Sequence, residues 1–290
     1  MTEATLIIQA VRAAIGAGTA ILEVYHGDDF HVERKADDSP LTLADTRSHE
    51  IIVSYLGTSA IPILSEEGIG IPYGQRKAWN RLWIVDPLDG TREFIKRNGE
   101  FTVNIALVEN GLPVFGVVSV PDRNVLYVGE RKLGAFQWND LNRVNNLLQA
   151  QPSTDAHQTV QLLISEAQRL PERPPAGMVY TVVGSRSHLT EEVEDFVEQK
   201  RREHGQVDFV SAGSSLKFCL VAEGKAHIYP RLGPTMEWDT AAGQAVVQAA
   251  GGGVVRHDTG TPLTYNKEDL LNPWFIVQSR AASDWAAGSR

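Results

Sequence analysis

The chain has 290 residues, 42% of them hydrophobic, and a formal net charge of −9; it is long and apolar enough to bury a large core, in one domain or in two coupled ones. Its single cysteine, Cys219, excludes an intrachain disulfide and any zinc site built from several thiolates, and it points to a reducing compartment. The acidic balance argues against a general nucleic-acid binder, which carries a basic stripe, although carboxylates can still meet a polyanion across divalent cations.

The amino-terminal stretch ATLIIQAVRAAIGAGTAILEVY sets Leu6, Ile7, Ala10, Val11, Ala14, Ile15, Ile21 and Leu22 in one stripe at helical spacing, which predicts an amphipathic core helix. Arg12 and Glu23 interrupt it and no basic leader precedes it, so neither a signal peptide nor a membrane span is expected. Ser39-Pro40 marks a turn, and Thr42 opens a second helix with Asp45 three residues on, where a capping box usually has Glu or Gln. IPILSEE then reads as a short buried strand ending at Glu66 and Glu67. In WIVDPLDGTREF, Trp83, Ile84 and Val85 suit a buried strand, whereas Pro87 has no amide donor and Gly90 adopts angles that other residues avoid. The strand is expected to give way to a turn there, leaving Asp86 and Asp89 at its carboxyl end, where open α/β sheets bind ligands.

From Phe101 to Phe136 the runs FTVNIALVENG, PVFGVVSVP, NVLYVGE and GAFQW, separated by Gly, Pro and Asn, predict antiparallel strands. Pro171, Pro174 and Pro175 in AQRLPERPPAGM mark a linker. It divides the chain into an α+β half, residues 1–170, and an α/β half, residues 171–290. In the second half VYTVVGS, TEEVEDFVEQKRREHG, SSLKFCLVAEG, KAHIYP and DTAAGQAVVQAAGG read as strand, helix, helix, strand and helix. There is no internal repeat.

The expected strand ends supply Glu66, Glu67, Asp86 and Asp89, and Asp239 opens the helix of EWDTAAG. Taken singly these are ordinary turn formers, helix caps or solvated acids. Together they form a set of hard oxygen ligands suited to Mg²⁺, which prefers a few carboxylates plus water and phosphate to an all-protein cage. The Leu88 carbonyl adds one more oxygen, and Gly90 and Thr91 begin a helix whose free amides and dipole favour a phosphate.

The elements TLAD, SEEG, DPLDGTREF and EWDTAAG, in that order, resemble the motifs of the lithium-sensitive, Mg²⁺-dependent phosphomonoesterases of the inositol monophosphatase superfamily, and the resemblance runs from the first helix to NPWFIVQS. It implies a layered αβαβα sandwich with the active site between the halves. It further implies two or three Mg²⁺ ions held by Glu66, Asp86, Asp89, Asp239 and the Leu88 carbonyl, inhibition by Li⁺, and Asp45 and Thr91 as the pair that activates water. Glu67 either supports the ligands from behind or stands in solvent.

Substrate choice has to be read elsewhere. Ser214, Ser215 and Lys217 lie at the start of a predicted helix, Arg231 eight residues before Asp239, and Ser185 and His188 within GSRSH. A lone lysine on a helix is ordinarily a solvated face whose stem covers apolar surface, but Arg and Lys together also suit a second phosphate. DGTREFIKRNGEFTVNIALVENGLPVFGVVSVP and GSSLKFCLVAEGKAHIYPRLGPTMEWDTAAG resemble the CysQ-type branch, the 3'(2'),5'-bisphosphate nucleotidases, and Arg231 stands where inositol monophosphatases carry an acid. The implied reaction is hydrolysis of adenosine 3',5'-bisphosphate to AMP and phosphate in sulfur metabolism. Gly90, Thr91, Ser185, His188, Ser214, Lys217, Arg231 and Asp239 are then the expected substrate contacts. The expected partner is a small nucleotide bisphosphate, not a nucleic acid, and the expected compartment is the cytoplasm, with peripheral membrane association left open. Inositol monophosphatase or fructose-1,6-bisphosphatase activity on the same fold is the alternative, and a non-catalytic phosphonucleotide sensor is a third reading.

Overall fold

The fold was obtained as a computed structural model that describes residues 1–27, 33–34, 40–68, 70–150, 155–172, 178–185, 190–280 and 282. It opens with α1 (Glu3–Tyr25), a small ribbon of β1 (Glu33–Arg34) and β2 (Pro40–Leu41), α2 (Leu43–Leu56), β3 (Ile63–Ser65), α3 (Tyr73–Arg76) and β4 (Arg81–Asp89). After α4 (Thr91–Ile95) come β5 (Thr102–Glu109), β6 (Leu112–Val120), β7 (Val125–Glu130), β8 (Gly134–Trp138), α5 (Leu141–Ala150), α6 (Ala156–Ser165) and β9 (Gln168–Leu170). The remainder is β10 (Tyr180–Ser185), α7 (Glu191–His204), β11 (Val207–Ala212), α8 (Leu216–Glu223), β12 (Ile228–Arg231), α9 (Ala241–Ala249), β13 (Gly253–Arg256) and β14 (Phe275–Gln278).

Seven strands, β3 to β9 in sequence order, make the first sheet, antiparallel except for the β3–β4 pair. Both of its faces are buried, so the strand period of two sorts apolar side chains into two layers. Val103, Ile105 and Leu107 of β5 face a core that includes α1, α2, α5 and α6, while Ala106 and Val108 face one shared with α8 and α9. The second sheet, ordered β11-β10-β12-β14-β13, contributes Val183, Tyr229 and Val277 to that shared core and turns Tyr180, Val182 and Ile228 to α7. The layers are therefore αβαβα, as the family resemblance implies.

Two glycines set the depth of the central helix layer. A Cβ on Gly116 of β6 would stand 2.5 Å from the Ala242 carbonyl oxygen, and one on Gly129 of β7 would stand 2.5 Å from the Val246 Cα. Their bare backbones let α9 lie directly on the first sheet, which fixes the height of the loop preceding α9, and with it Asp239.

Three sequence expectations need correction or completion. The strand does not end at Pro87: β4 continues to Asp89 through a bulge, with Asp86 opposite Asn104 and Asp89 opposite Thr102, so three steps on β4 match two on β5. The turn falls at Gly90, whose φ is +91°. Helices α5 and α6 went unpredicted, although Leu141, Val144 and Leu148 form a buried face of α5. Of the proline-rich linker, Gln168–Leu170 is the edge strand of the first sheet and β10 opens the second; Pro174 and Pro175 lie outside the described residues. Helix α1 is long and apolar enough to cross a bilayer, yet 67% of its most apolar window is buried in the fold, packed in the first core as the amphipathic reading requires.

Candidate active site

The β4 bulge answers a problem of geometry. Residues three apart on a regular strand face opposite sides of a sheet, so Asp86 and Asp89 would part company. Because Asp86 pairs with Asn104 and Asp89 with Thr102, two positions apart on β5, both aspartates emerge on the face that meets the later half of the chain. Pro87 supplies no amide, and its carbonyl accepts a hydrogen bond from the Ser48 hydroxyl at 2.6 Å.

Asp86 is 1% exposed. Its Oδ1 accepts from the Leu88 amide at 3.1 Å, and its Oδ2 is buried with no hydrogen-bond partner among the described residues. Parallel pairing of β3 with β4 brings Glu66 alongside, and the loop before α9 brings Asp239. Oxygens of Glu66, Asp86 and Asp239 all lie within 4.8 Å of one another. Burial, and then the charges of Glu66, Asp89, Asp239 and Asp45, push the Asp86 carboxyl well above the usual carboxylate range. Burial and then Asp89 push Asp239 up to about 8, against the pull of the Met236 amide, which donates to its Oδ2 at 2.7 Å. Such mutual repulsion around an unpartnered buried oxygen, with a donor set made entirely of oxygens, fits a hard divalent cation.

Asp89 stands beside this cluster. Its Oδ2 receives the Ser215 hydroxyl at 3.0 Å, the Thr102 hydroxyl at 3.3 Å and the Asn104 amide at 3.3 Å. Thr102 and Asn104 escaped the sequence reading, although two polar residues at period two within FTVNIALV mark one face of a strand as polar. Asp45 does two jobs. Its Oδ2 closes the α2 capping box by accepting from the Thr42 amide at 2.8 Å and hydroxyl at 2.6 Å, while Oδ1 lies 3.3 Å from the Thr91 hydroxyl, itself 3.4 Å from the Leu88 carbonyl oxygen. Glu67 lies outside the three-carboxylate group, and its charge acts on His49. The helix beginning at Thr91 has only five residues, so it offers a phosphate amides more than a dipole.

Next to the carboxylates lies a cavity of about 130 Å³ whose walls include Asp89, Gly90, Ser185, Lys217, Arg231 and Asp239. Lys217 is 6% exposed; its Nζ donates to the Ser214 carbonyl at 2.7 Å and the Ala212 carbonyl at 3.3 Å, and it sits 5.5 Å from the Tyr229 ring centroid. Burial lowers its pKa to about 8, partly offset by Asp89. Arg231 at the end of β12 donates from Nη2 to the Pro234 carbonyl at 2.7 Å. Ser214 lines the cavity, but its hydroxyl is committed to the carbonyls of Asp89 (2.9 Å) and Glu100 (2.6 Å), joining the two halves. A side chain on Gly90 would overlap that hydroxyl. His188 lies outside the described residues.

The family model of the inositol monophosphatase family matches residues 3–287. The 3'(2'),5'-bisphosphate nucleotidase CysQ of Shigella flexneri is 46% identical over 280 residues, covering 94% of this chain and 99% of its own. That of Haemophilus influenzae is 34% identical over 284 residues, covering 97% and 95%. The crystal structure of CysQ from Bacteroides thetaiotaomicron, a bacterial member of the inositol monophosphatase family, superposes with a TM-score of 0.83 at 48% identity, over 94% of this chain and 96% of that one. By its motifs, its layers and these relatives, the chain belongs to the inositol monophosphatase family.

Proposed function

We propose that this chain is a Mg²⁺-dependent 3'(2'),5'-bisphosphate nucleotidase that hydrolyses adenosine 3',5'-bisphosphate to AMP and phosphate. The observation that carries this reading is the adjacency of two unlike sites: a carboxylate cluster in which Asp86 keeps a buried oxygen unpartnered among the described residues, and beside it a cavity whose wall bears Asp89, Asp239, Lys217 and Arg231. The bisphosphate nucleotidase relatives at 34% to 48% identity support it.

Glu66, Asp86, Asp89, Asp239 and the Leu88 carbonyl would hold the ions. When bound, divalent ions supply charge neutralisation on the phosphoryl oxygens and lower the pKa of water. Asp45 takes the proton of the attacking water by way of Thr91, whose hydroxyl lies 3.3 Å from Asp45 Oδ1. The capping box holds the other Asp45 oxygen still, so the acceptor needs little reorganisation. Gly90 and Thr91 present backbone amides to the phosphate being cleaved, while Lys217 and Arg231 hold the phosphate that stays, the arginine by a fork and the lysine as a point charge. Ser185 and Ser214 complete that wall. The boundary near residue 170 then separates a half carrying most of the acids from a half carrying the cations. The one thiol, Cys219, is free and buried, which accords with a cytoplasmic enzyme.

The test is phosphate release from adenosine 3',5'-bisphosphate, inositol monophosphate and fructose 1,6-bisphosphate, with and without Mg²⁺ and under Li⁺ titration. The expected result is Mg²⁺-dependent, Li⁺-sensitive turnover with the highest kcat/KM for the nucleotide. A preference for inositol monophosphate would transfer the assignment to the sugar-phosphate branch, and binding without turnover would make the protein a sensor.

A further inference from the structure

We propose that Glu237 is a positioning residue for Asp239, completed by Lys267 and Arg76 into a clamp that holds the metal-binding loop ready before any cation arrives. The inference rests on the metal reading above and concerns residues that lie behind the site.

Glu237 is 0% exposed, two residues from Asp239. A buried carboxylate there would add to the repulsion within the Glu66, Asp86 and Asp239 group unless its charge were met. It is met from the side away from the cavity. Oε1 accepts from the Lys267 amide at 3.0 Å and from Lys267 Nζ at 2.6 Å, and Oε2 accepts from the Asn266 amide at 2.6 Å. The backbone of the same residue starts α9, since the Glu237 carbonyl accepts from the amides of Thr240 and Ala241 at 3.2 and 3.1 Å.

Two further ties close the loop. Asn272 Nδ2 donates to the Met236 carbonyl at 2.7 Å and the Thr240 hydroxyl at 3.0 Å, and Lys267 Nζ lies 3.3 Å from Asn272 Oδ1. Arg76, 3% exposed on α3, donates to Asn266 Oδ1 at 3.0 Å, to the Glu268 carbonyl at 2.8 Å and to the Lys267 carbonyl. Arg76 belongs to the segment joining Glu66 to Asp86, so the half that supplies those two carboxylates also grips the loop that holds Glu237, Met236 and Thr240 around Asp239.

The physical need is plain. Like charges brought within 4.8 Å drive one another apart, and a loop free to yield would place Asp239 correctly only after a cation had drawn it in. Because Lys267 neutralises Glu237, the glutamate acts through geometry and hydrogen bonding, not through its field at the cluster. The Met236–Asp239 turn is pinned at both ends: by the Met236 amide on Asp239 Oδ2 at 2.7 Å and by the Glu237 carboxylate on the opposite side. Preorganised partners of this kind hold ligand groups in place for a metal.

The experiment compares wild type, Glu237→Gln and Lys267→Met. Mg²⁺ binding to the substrate-free protein is measured by titration calorimetry, with circular dichroism to establish the fold and kcat measured at saturating Mg²⁺. The expected result is a Mg²⁺ dissociation constant raised about 10- to 100-fold in Glu237→Gln and in the same direction in Lys267→Met, with kcat recovering towards wild type as Mg²⁺ is raised. A pair that served only the fold would lower the melting temperature and leave Mg²⁺ affinity unchanged, and that outcome in either folded variant overturns the clamp. Should Glu237→Gln fail to fold, Lys267→Met decides by the same readout. A wild-type protein that binds no Mg²⁺ would remove the metal reading and the clamp together, whereas normal wild-type binding with unchanged variants removes the clamp alone.

Discussion

At one end of the site Glu66, Asp86 and Asp239 crowd oxygens within 4.8 Å and leave Asp86 Oδ2 without a partner among the described residues; at the other, in the wall of the adjoining cavity, Lys217 and Arg231 each have a nitrogen tied to a backbone carbonyl. Both ends collect like charges where burial disfavours them, and the pKa shifts run in opposite directions: Asp86 and Asp239 up, Lys217 down. The acids repel one another and need an outside cation to be at ease. The cations are held by main-chain dipoles and stand in place beforehand. Loss of an acid should therefore disable the chemistry for every substrate, while loss of a cation should change only which substrate is preferred.

The largest effect tests the first half of that contrast. Asp89→Asn keeps an oxygen to accept from Thr102, Asn104 and Ser215 but removes the charge beside the cluster. Turnover should fall by more than about 100-fold for all phosphate esters, the scale of losing a key electrostatic contact, with the circular dichroism spectrum unchanged. A purified variant with more than half the wild-type rate at saturating Mg²⁺ would show that Asp89 does not serve the metal.

The next effect tests the second half. Charge-assisted hydrogen bonds contribute roughly 1.5–3 kcal/mol each, so Lys217→Ala or Arg231→Ala should lower kcat/KM for adenosine 3',5'-bisphosphate by roughly 10- to 150-fold. Inositol monophosphate, with no second phosphate, should be nearly unaffected. Equal losses on both substrates would mean that these residues support the fold or the carboxylate end. The Lys217 variant carries that risk more than the Arg231 variant, because its ammonium also bridges the Ala212 and Ser214 carbonyls.

The two ends were also unequally legible in the sequence. Asp86 and Asp89 stood out because Pro87 and Gly90 flank them and a strand precedes them, and the motif order supplied Glu66, Asp239 and Asp45. The bulge that turns both aspartates to one face was not legible, since it depends on pairing with Asn104 and Thr102 on another strand. Lys217 is picked out by its place at a predicted helix start and by the resemblance; nothing in GSSLKF says that its amine folds back onto Ala212 and Ser214. Glu237 was passed over altogether. Nothing in MEWD marks its glutamate as buried, and its partner Lys267 lies 30 residues onward, a distance that only tertiary structure closes. The αβαβα layering came with the family resemblance; the strands and helices themselves gave only an α+β half followed by an α/β half.

The smallest effect is the most discriminating, because it separates the two ends by pH alone. Burial lowers Lys217 to about 8, so the ammonium is largely protonated at pH 7 and largely neutral at pH 9. The sign is fixed: the cation is present below its folded pKa and lost above it, so the preference for the bisphosphate falls as pH rises. The quantity to measure is the ratio of kcat/KM for adenosine 3',5'-bisphosphate to that for inositol monophosphate, since kcat/KM reports groups of the free enzyme. Titration of the carboxylate end and of the attacking water affects numerator and denominator alike and cancels. Substrate phosphates, with second pKa values near 6, are already ionised over this range. The ratio should fall by up to about 10-fold between pH 7 and pH 9, the drop in the protonated fraction of a group titrating near 8. Arg231 keeps its charge throughout, so the bisphosphate should retain a residual advantage at pH 9. In Lys217→Ala the ratio should start low and stay flat, whereas in Arg231→Ala it should start low and still decline. A wild-type ratio that held level from pH 7 to pH 9 would show that the amine does not face the second phosphate as a titrating cation, and the contrast between the two ends would then rest on Arg231 alone.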